Sequence, residues 1–186
     1  MEVIKTNIDG VFIIEPTVHE DSRGYFFESF NEQEFVEKTG VDFHPVQDNE
    51  SMSSYGVLRG LHFQNEPHAQ AKLVRVVKGE VFDVAVDVRK DSPTLGKYVS
   101  VVLSEENKKQ FFIPKGFAHG FVVLSPEAVF QYKCDDFYHP ECESGLAWYD
   151  DEIGIEWPVK KEDISVSEKD KHRMNLCTYK NIGGKP

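Results

Sequence analysis

Alternating apolar and polar positions recur along the chain and predict a protein built mainly of β-strands. The clearest alternation spans Val81–Val88, where Phe82 and Val84 share one face and Asp83 and Asp87 lie on the other. Segments rich in β-branched and aromatic residues predict further strands at Val11–Val18, Tyr25–Phe30, Leu73–Val77, Lys97–Leu103, Gln110–Ile113, Gly120–Leu124 and Ala128–Cys134. Turns containing Gly or Pro separate many of them, and this spacing is typical of an all-β sandwich or barrel.

One helix is predicted after Asn31. Asn31 is suited to cap its first turn, Glu34 occupies the capping-box position, and Gly40 provides a left-handed stop. A second short helix is predicted in the last third of the chain, from a weaker pattern. No repeat, linker or low-complexity tract divides the sequence, so residues 1–186 are predicted to form a single domain.

Composition and charge narrow the classes of function. The 186 residues carry a net charge of −11, which disfavours nonspecific binding to nucleic acid. No stretch approaches the roughly 20 apolar residues of a membrane span, and the first residues do not resemble a signal peptide, so a cytoplasmic location without membrane contact is expected. Three cysteines, Cys134, Cys142 and Cys177, form no CxxC pair and are interpreted as reduced thiols.

The first candidate site is a polar cluster in the strand-like run Gly56–Gln64. His62 and Gln64 project from the same face of an extended strand, with Arg59 three positions earlier and Lys72 further along the chain. A lone histidine in an apolar segment is more often a buried core residue, hydrogen-bonded within the protein, than a functional residue. Burying this many polar groups is costly unless they contact one another or a ligand, so the functional interpretation is favoured here.

A second run, Phe112–Phe121, places His119 directly after a loop rich in Gly and Pro. The spacing of both runs resembles the two motifs of the cupin barrels. Metal-binding cupins have a second histidine and a glutamate where this chain has Gln64 and Lys72. A lysine ammonium repels a divalent cation and two histidines alone make a poor site, so no metal is expected in this pocket.

The resemblance extends to one family over nearly the whole chain, from about Val11 to Asp170. The motifs that carry it, in order, are HEDSRGYFFE (19–28), QDN (47–49), LRGLHFQ (58–64), KLVR (72–75), PKGFAHG (114–120), YKC (132–134), EWP (156–158) and SEKD (167–170). They are similar to the motifs of dTDP-4-dehydrorhamnose 3,5-epimerases. The resemblance implies an all-β, cupin-type double-stranded β-helix (jelly-roll) barrel with a few short helices.

It also implies an activity, the conversion of dTDP-4-dehydro-6-deoxy-D-glucose to dTDP-4-dehydro-L-rhamnose on the route to dTDP-L-rhamnose. The C4 ketone acidifies the C–H bonds on C3 and C5, so the reaction needs a base, an acid and an enolate stabiliser but no cofactor. By resemblance His62 is the base, Asp170 its carboxylate partner, Lys72 the cation for the C4 oxyanion and Tyr132 the proton donor. The alternatives to these catalytic roles are that Asp170 is an ordinary surface charge and that Tyr132 is an aromatic residue of the core.

The resemblance further implies a set of contacts to the nucleotide and the sugar: Arg23, Phe26, Glu28, Gln47, Asn49, Arg59, His119, Tyr138, Glu143 and Lys169. The cations suit a diphosphate, and Tyr138 suits stacking on thymine. In this family N-terminal strands cross to a second subunit. A homodimer is therefore expected, in which residues 23–28 serve the neighbour's pocket.

Three alternatives stay open at this point. A sibling enzyme inverting only C3 or only C5 would use nearly the same residues. A noncatalytic sugar-binding cupin would keep the arginines and aromatics but would not need a base and an acid together. A metal-dependent cupin oxygenase or isomerase is disfavoured by Gln64 and Lys72.

Overall fold

A computed structural model describes residues 1–182 as an antiparallel β protein with two α-helices. The strands are β1 (Glu2–Lys5), β2 (Phe12–Glu15), β3 (His19–Asp21), β4 (Gly24–Phe26), β5 (Gln47–Ser54), β6 (Leu58–Gln64), β7 (Lys72–Lys78), β8 (Glu80–Asp87), β9 (Tyr98–Ser104), β10 (Gln110–Ile113), β11 (Phe117–Val123), β12 (Glu127–Cys134) and β13 (Glu143–Gly145). The helices are α1 (Glu32–Thr39) and α2 (Leu176–Asn181), with 3-10 turns at Pro140–Cys142, Lys161–Asp163 and Asp170–His172.

Two sheets form the body of the protein. One has the strand order β1-β2-β10-β7-β12-β5 and the other the order β13-β6-β11-β8-β9, while β3 and β4 form a separate hairpin. Apolar side chains of both sheets, among them Val74, Val81, Phe111, Phe121 and Phe130, fill the space between them. Two packed antiparallel sheets with crossing connections form a jelly-roll barrel, as the sequence predicts.

Helix α1 covers the outer face of the six-stranded sheet. Its start and stop agree with the sequence, because the Asn31 side chain accepts a hydrogen bond from the backbone N–H of Glu34 at 3.1 Å and Gly40 is left-handed. Phe35 packs against Phe43 and Phe112, with ring centroids 5.5 Å and 5.1 Å away. The helix is therefore held by an aromatic cluster as well as by its caps.

The segment that follows β13 covers the outer face of the five-stranded sheet. Leu176 and Tyr179 are buried there against residues of β6, β8 and β11. Two isolated parallel bridges, Val57–Ser165 and Leu146–Met174, fasten this segment beside β6 and β13. This placement brings the turn Asp170–His172 next to β6, which matters for the site.

Some element boundaries differ from the sequence prediction. Strand β2 ends at Glu15 rather than Val18, since Pro16 has no N–H with which to continue a ladder. The segment predicted at Tyr25–Phe30 is a strand only to Phe26. Strand β5 was not predicted, because its sequence QDNESMSS lacks apolar alternation, yet it pairs with β12 along its full length at the edge of the sheet.

Among residues 1–182 there is no helix long and apolar enough to cross a membrane.

Candidate active site

A cleft opens between the two sheets. One part has a volume of about 450 Å³ and its lining includes Arg59, His119 and Asp170; it is called the His119 half below. An adjoining part of about 370 Å³ includes Gln47, Tyr138 and Glu143 and is called the Tyr138 half. His62, Lys72 and Tyr132 line both parts, so the two halves form one continuous cleft.

Strand register sets these side chains on opposite walls. In the five-stranded sheet His62 of β6 lies directly opposite His119 of β11. In the six-stranded sheet Lys72 of β7 pairs with Cys134, two positions after Tyr132 on β12, so the lysine and the tyrosine share a face. The Lys72 Nζ atom lies 6.0 Å from the centre of the Tyr132 ring.

Two glycines permit the close approach of β6 and β11 beside these histidines. A Cβ added at Gly60 would lie 2.5 Å from the Cα of Gly120, and one added at Gly120 would lie 2.8 Å from the carbonyl oxygen of Arg59. The β6–β11 register shifts between His119 and Phe121, which is the mark of a bulge. Only glycine fits this crossing, which lies one residue from His119.

His62 and Asp170 form a hydrogen-bonded pair, with Nε2 and Oδ1 2.6 Å apart. The Asp170 side chain is only 5% exposed. Burial would raise the pKa of Asp170, but hydrogen bonding and charge interaction with His62, with smaller contributions from Ser167 and Arg173, bring it below its ordinary value. An ionised carboxylate therefore holds one imidazole nitrogen and orients the ring.

On the opposite wall, burial shifts both titratable groups. Desolvation lowers the pKa of Lys72, against the attraction of Cys134, Asp83 and Glu143. Desolvation raises the pKa of Tyr132, so its phenol is protonated at neutral pH. The wall thus presents the lysine amino group, whose charged form the neighbouring Asp83 and Glu143 favour against desolvation, and a neutral O–H donor. An oxyanion formed beside Lys72 would add to this attraction, and the phenol is a group that can deliver a proton.

His119 is also paired with a carboxylate, that of Asp83, which sequence reasoning did not assign to the site. Its Nε2 lies 2.9 Å and 3.1 Å from the two oxygens of Asp83, and Asp83 is fully buried on β8. Desolvation raises the pKa of Asp83, while His119 and Lys72 oppose the shift. The available signal was the charged residue at an inner position of the Val81–Val88 alternation.

Glu143 links the Tyr138 half of the cleft to the catalytic pair. Its carboxylate accepts hydrogen bonds from the Tyr138 hydroxyl at 2.6 Å and from Arg173 at 2.5 Å, and it lies 2.6 Å from Lys169 Nζ. Burial alone would raise the pKa of Glu143, but hydrogen bonds from Lys169, Tyr138 and Arg173 lower it to about 2. Arg173, absent from the sequence-based site, also donates to Asp170 at 3.3 Å.

The other candidate substrate contacts fall into two groups. Arg59 lines the His119 half, where its Nε donates to Ser53 Oγ at 3.0 Å. Gln47 and Asn49 lie in the Tyr138 half and are bonded to each other at 3.0 Å; the Gln47 carbonyl oxygen also accepts the backbone N–H of Tyr138. These side chains are therefore ordered by contacts within the cleft.

Arg23, Phe26 and Glu28 are not brought to the cleft of their own chain. The β3–β4 hairpin is exposed at every strand position. The Arg23 side chain is 88% exposed and pairs with Asp21, and Phe26 is 67% exposed. The structure thus separates these three from the other candidate residues.

The donor set of the cleft does not suit a cupin metal. The amide of Gln64, which occupies one ligand position, is already used: its Nε2 donates to the carbonyl oxygens of His68 and Phe137, and its Oε1 accepts the N–H of His139. Lys72 occupies another ligand position with an ammonium. His62 and His119 are each bonded to a carboxylate.

Comparison with known proteins agrees with this geometry. A family model described as dTDP-4-dehydrorhamnose 3,5-epimerase matches residues 5–177. The chain belongs to this family. An epimerase of that name from Methanothermobacter thermautotrophicus is 58% identical over 170 residues, which cover 91% of each chain.

Solved structures of this family also superpose closely. The dTDP-4-dehydrorhamnose 3,5-epimerase of Elizabethkingia anophelis gives a TM-score of 0.93 at 53% identity, covering 96% of this chain and 97% of that one. A dTDP-6-deoxy-D-glucose-3,5-epimerase from Legionella pneumophila, in complex with dTDP-4-keto-L-rhamnose, gives 0.91 at 51% identity and covers 95% and 93%. The cupin-type barrel expected from the sequence is therefore confirmed.

Proposed function

We propose that this enzyme inverts C3 and C5 of dTDP-4-dehydro-6-deoxy-D-glucose to give dTDP-4-dehydro-L-rhamnose, the sugar nucleotide used for dTDP-L-rhamnose. One observation carries the proposal at this site. His62 on one sheet, with Asp170 bonded to it from the neighbouring turn, and Lys72 and Tyr132 on the other sheet line a single cleft. A carbanion formed between these walls has a base on one side and a proton donor on the other.

The proposed reaction begins with His62 removing the proton from a carbon beside the ketone. The imidazole gains a positive charge as the C–H bond breaks, and the ionised Asp170 stabilises that charge at 2.6 Å. The electron pair moves onto the C4 oxygen, where the ammonium of Lys72 compensates it. Such preorganised stabilisation is worth about 3–4 kcal/mol of barrier.

Reprotonation completes the inversion. The Tyr132 phenol gives its proton to the face of the carbon opposite His62, which leaves the substituent on the inverted side. The same pair of groups serves C3 and C5, because both carbons flank one ketone. The sugar is neither oxidised nor reduced, so the reaction needs no redox partner. Exchange with solvent water then removes the proton from His62 and returns one to Tyr132, which restores both groups.

The Tyr138 half of the cleft is proposed to hold the nucleotide. Tyr138 offers an aromatic face for thymine, and its hydroxyl is fixed by Glu143 at 2.6 Å. Gln47 and Asn49 offer amide groups beside it. Lys169 and Arg59 supply cations for the diphosphate and sugar, in a chain whose overall field is negative.

Incubation with the 4-keto sugar nucleotide in D₂O tests the double inversion. We expect deuterium at both C3 and C5 of the product, because each inversion replaces a carbon-bound proton with one from a solvent-exchanged phenol. Proton NMR of the isolated sugar measures the two positions separately. Deuterium at one carbon alone would reduce the activity to that of a mono-epimerase, and its absence from both would refute proton transfer.

We also propose that two chains form the active unit. The β3–β4 hairpin carries Arg23 and Phe26, whose side chains are exposed in the part of the chain that the structure describes. Arg23 is suited to a phosphate, yet it lies outside the cleft that would bind one. Exchange of this hairpin between two chains would supply a further cation, Arg23, to each neighbouring cleft.

A heterodimer with differently tagged chains tests this exchange. One chain carries Arg23→Ala and the other His62→Ala, and the dimer is purified on both tags. If Arg23 serves the neighbour, one of the two clefts is intact and we expect about half of the wild-type activity per dimer.

The matched control places both substitutions on one chain and pairs it with a wild-type chain. The exchanged arrangement then leaves neither cleft intact: one lacks His62 and the other lacks the neighbour's Arg23, so activity should fall to about half that of the Arg23→Ala homodimer. The opposite pattern, with the control half active and the first heterodimer inactive, would show that Arg23 serves its own chain.

A further inference from the structure

A cluster of two histidines and an aspartate lies on the surface, outside both halves of the cleft. His68, Asp136 and His139 each offer one ligand atom, and these atoms all lie within 4.8 Å of one another. The His68 Nδ1 atom is 3.2 Å from Asp136 Oδ2. The imidazole rings of His68 and His139 are stacked, with centroids 3.5 Å apart and planes 10° from parallel.

We propose that this cluster is a binding site for a late divalent transition metal such as Zn²⁺. Imidazole nitrogens and a carboxylate oxygen are ordinary Zn²⁺ ligands at about 2.0–2.2 Å, which sets ligand atoms roughly 3–4 Å apart. Ligand atoms that lie within 4.8 Å of one another would have to approach by about 1–2 Å, and the two stacked rings would have to rotate so that both nitrogen lone pairs point at one ion. Three protein ligands leave a fourth position for water or for Glu141, whose Oε1 lies 3.0 Å from His139 Nδ1.

The backbone around the cluster is already held in place. Gln64, which is buried, binds the carbonyl oxygens of His68 and Phe137 at 2.7 Å and 3.1 Å and accepts the N–H of His139 at 2.6 Å. One buried amide thus clamps both loops that carry the ligands. A preorganised site of this kind loses less conformational entropy when it binds an ion.

The three candidate ligand side chains are partly exposed, so an ion can reach them from solvent. The side chains of His68, Asp136 and His139 are 34%, 27% and 30% exposed. A backbone hydrogen bond from Phe137, with help from His68, lowers the pKa of Asp136, so this carboxylate is ionised at neutral pH. The nearby Glu141 adds a second negative charge at the surface.

The position of the site gives the ion a structural role. Asp136 and His139 flank Phe137 and Tyr138, and Tyr138 lines the Tyr138 half of the cleft. An ion shared with His68 would tie this segment to the loop after β6. This site does not enter the epimerisation chemistry, and the expectation of a metal-free reaction in the cleft is a separate prediction.

Calorimetric titration with Zn²⁺ in a non-chelating buffer tests the site on the full chain. We expect one ion per chain for the wild type. Loss of a residue that only hydrogen-bonds to a metal ligand typically weakens metal affinity by roughly 10–100-fold. His68→Gln and His139→Gln remove a ligand itself, so each should weaken Zn²⁺ binding by more than that. His44→Gln is the matched control, since His44 is exposed and also lies beside two carboxylates, and it should bind Zn²⁺ as the wild type does.

Cobalt(II) absorption provides a second measurement that separates this site from the thiols. For the wild type we expect Co²⁺ absorption bands without a thiolate charge-transfer band. In Asp136→Asn these Co²⁺ bands should be lost. Circular dichroism of each variant verifies the fold. The proposal would be overturned if the wild type showed no measurable Zn²⁺ binding, or if His68→Gln and His139→Gln bound Zn²⁺ as tightly as the wild type. Loss of binding only in Cys142→Ser would also overturn it.

Discussion

Replacement of His62 by alanine is expected to abolish turnover while leaving substrate binding intact. Positioned acid–base groups contribute about 10²–10⁴-fold, and kcat should fall by at least that factor because the group proposed to accept the proton is lost. The affinity for the sugar nucleotide, measured by calorimetry, should stay within about threefold of the wild-type value.

His172→Ala is the matched control for this variant. His172 is an exposed histidine in the same turn as Asp170, so its loss removes an imidazole near the site without touching the cleft. It should retain wild-type turnover and deuterium exchange. Wild-type-like rates in His62→Ala would remove His62 as the base, and a parallel loss in His172→Ala would point to damage of the turn instead.

Replacement of Tyr132 by phenylalanine is expected to separate proton exchange from inversion. The ring and its packing beside Phe130 are kept, but the O–H that serves the second face is lost. His62 can still remove a proton and return a solvent deuteron to the same face. Inversion should therefore fall by about 10²–10⁴-fold while exchange with D₂O continues with retained configuration.

Proton NMR of a reaction in D₂O measures both quantities on one sample, as the ratio of deuterated starting sugar to inverted product. Tyr149→Phe removes an exposed hydroxyl outside the cleft and is the control; it should keep the wild-type ratio. Inversion at the wild-type rate in Tyr132→Phe would exclude the phenol as the donor. Equal loss of exchange and inversion would assign Tyr132 to binding rather than to proton delivery.

Much of the fold was predictable because local signals and the barrel agree. The cap at Asn31, the stop at Gly40 and the alternation over Val81–Val88 are local, and each appears as predicted. Strand β5 was not predictable in this way. Its ladder depends on β12, about 80 residues later, and its mostly polar sequence, with Met52 exposed, carries no hydrophobic pattern.

The candidate site shows the same division. The resemblance named His62, Lys72, Tyr132 and Asp170, and the structure brings all four to one cleft. Asp83 and Arg173 were missed because their importance lies in long-range contacts, with His119 and with the carboxylates of Asp170 and Glu143. Such contacts depend on the folded register and leave no spacing motif in the sequence.

The opposed location of base and acid has a consequence for selectivity. His62 stands on one sheet and Tyr132 on the other, and the distance between the sheets is set by the packed side chains that fill the barrel. The distance between His62 and Tyr132 is therefore fixed by the barrel, and it restricts the substrate to a ring about as thick as a pyranose. Adapting this scaffold to a bulkier ketosugar would require repacking of residues far from the reacting carbons, rather than exchange of the groups that touch them.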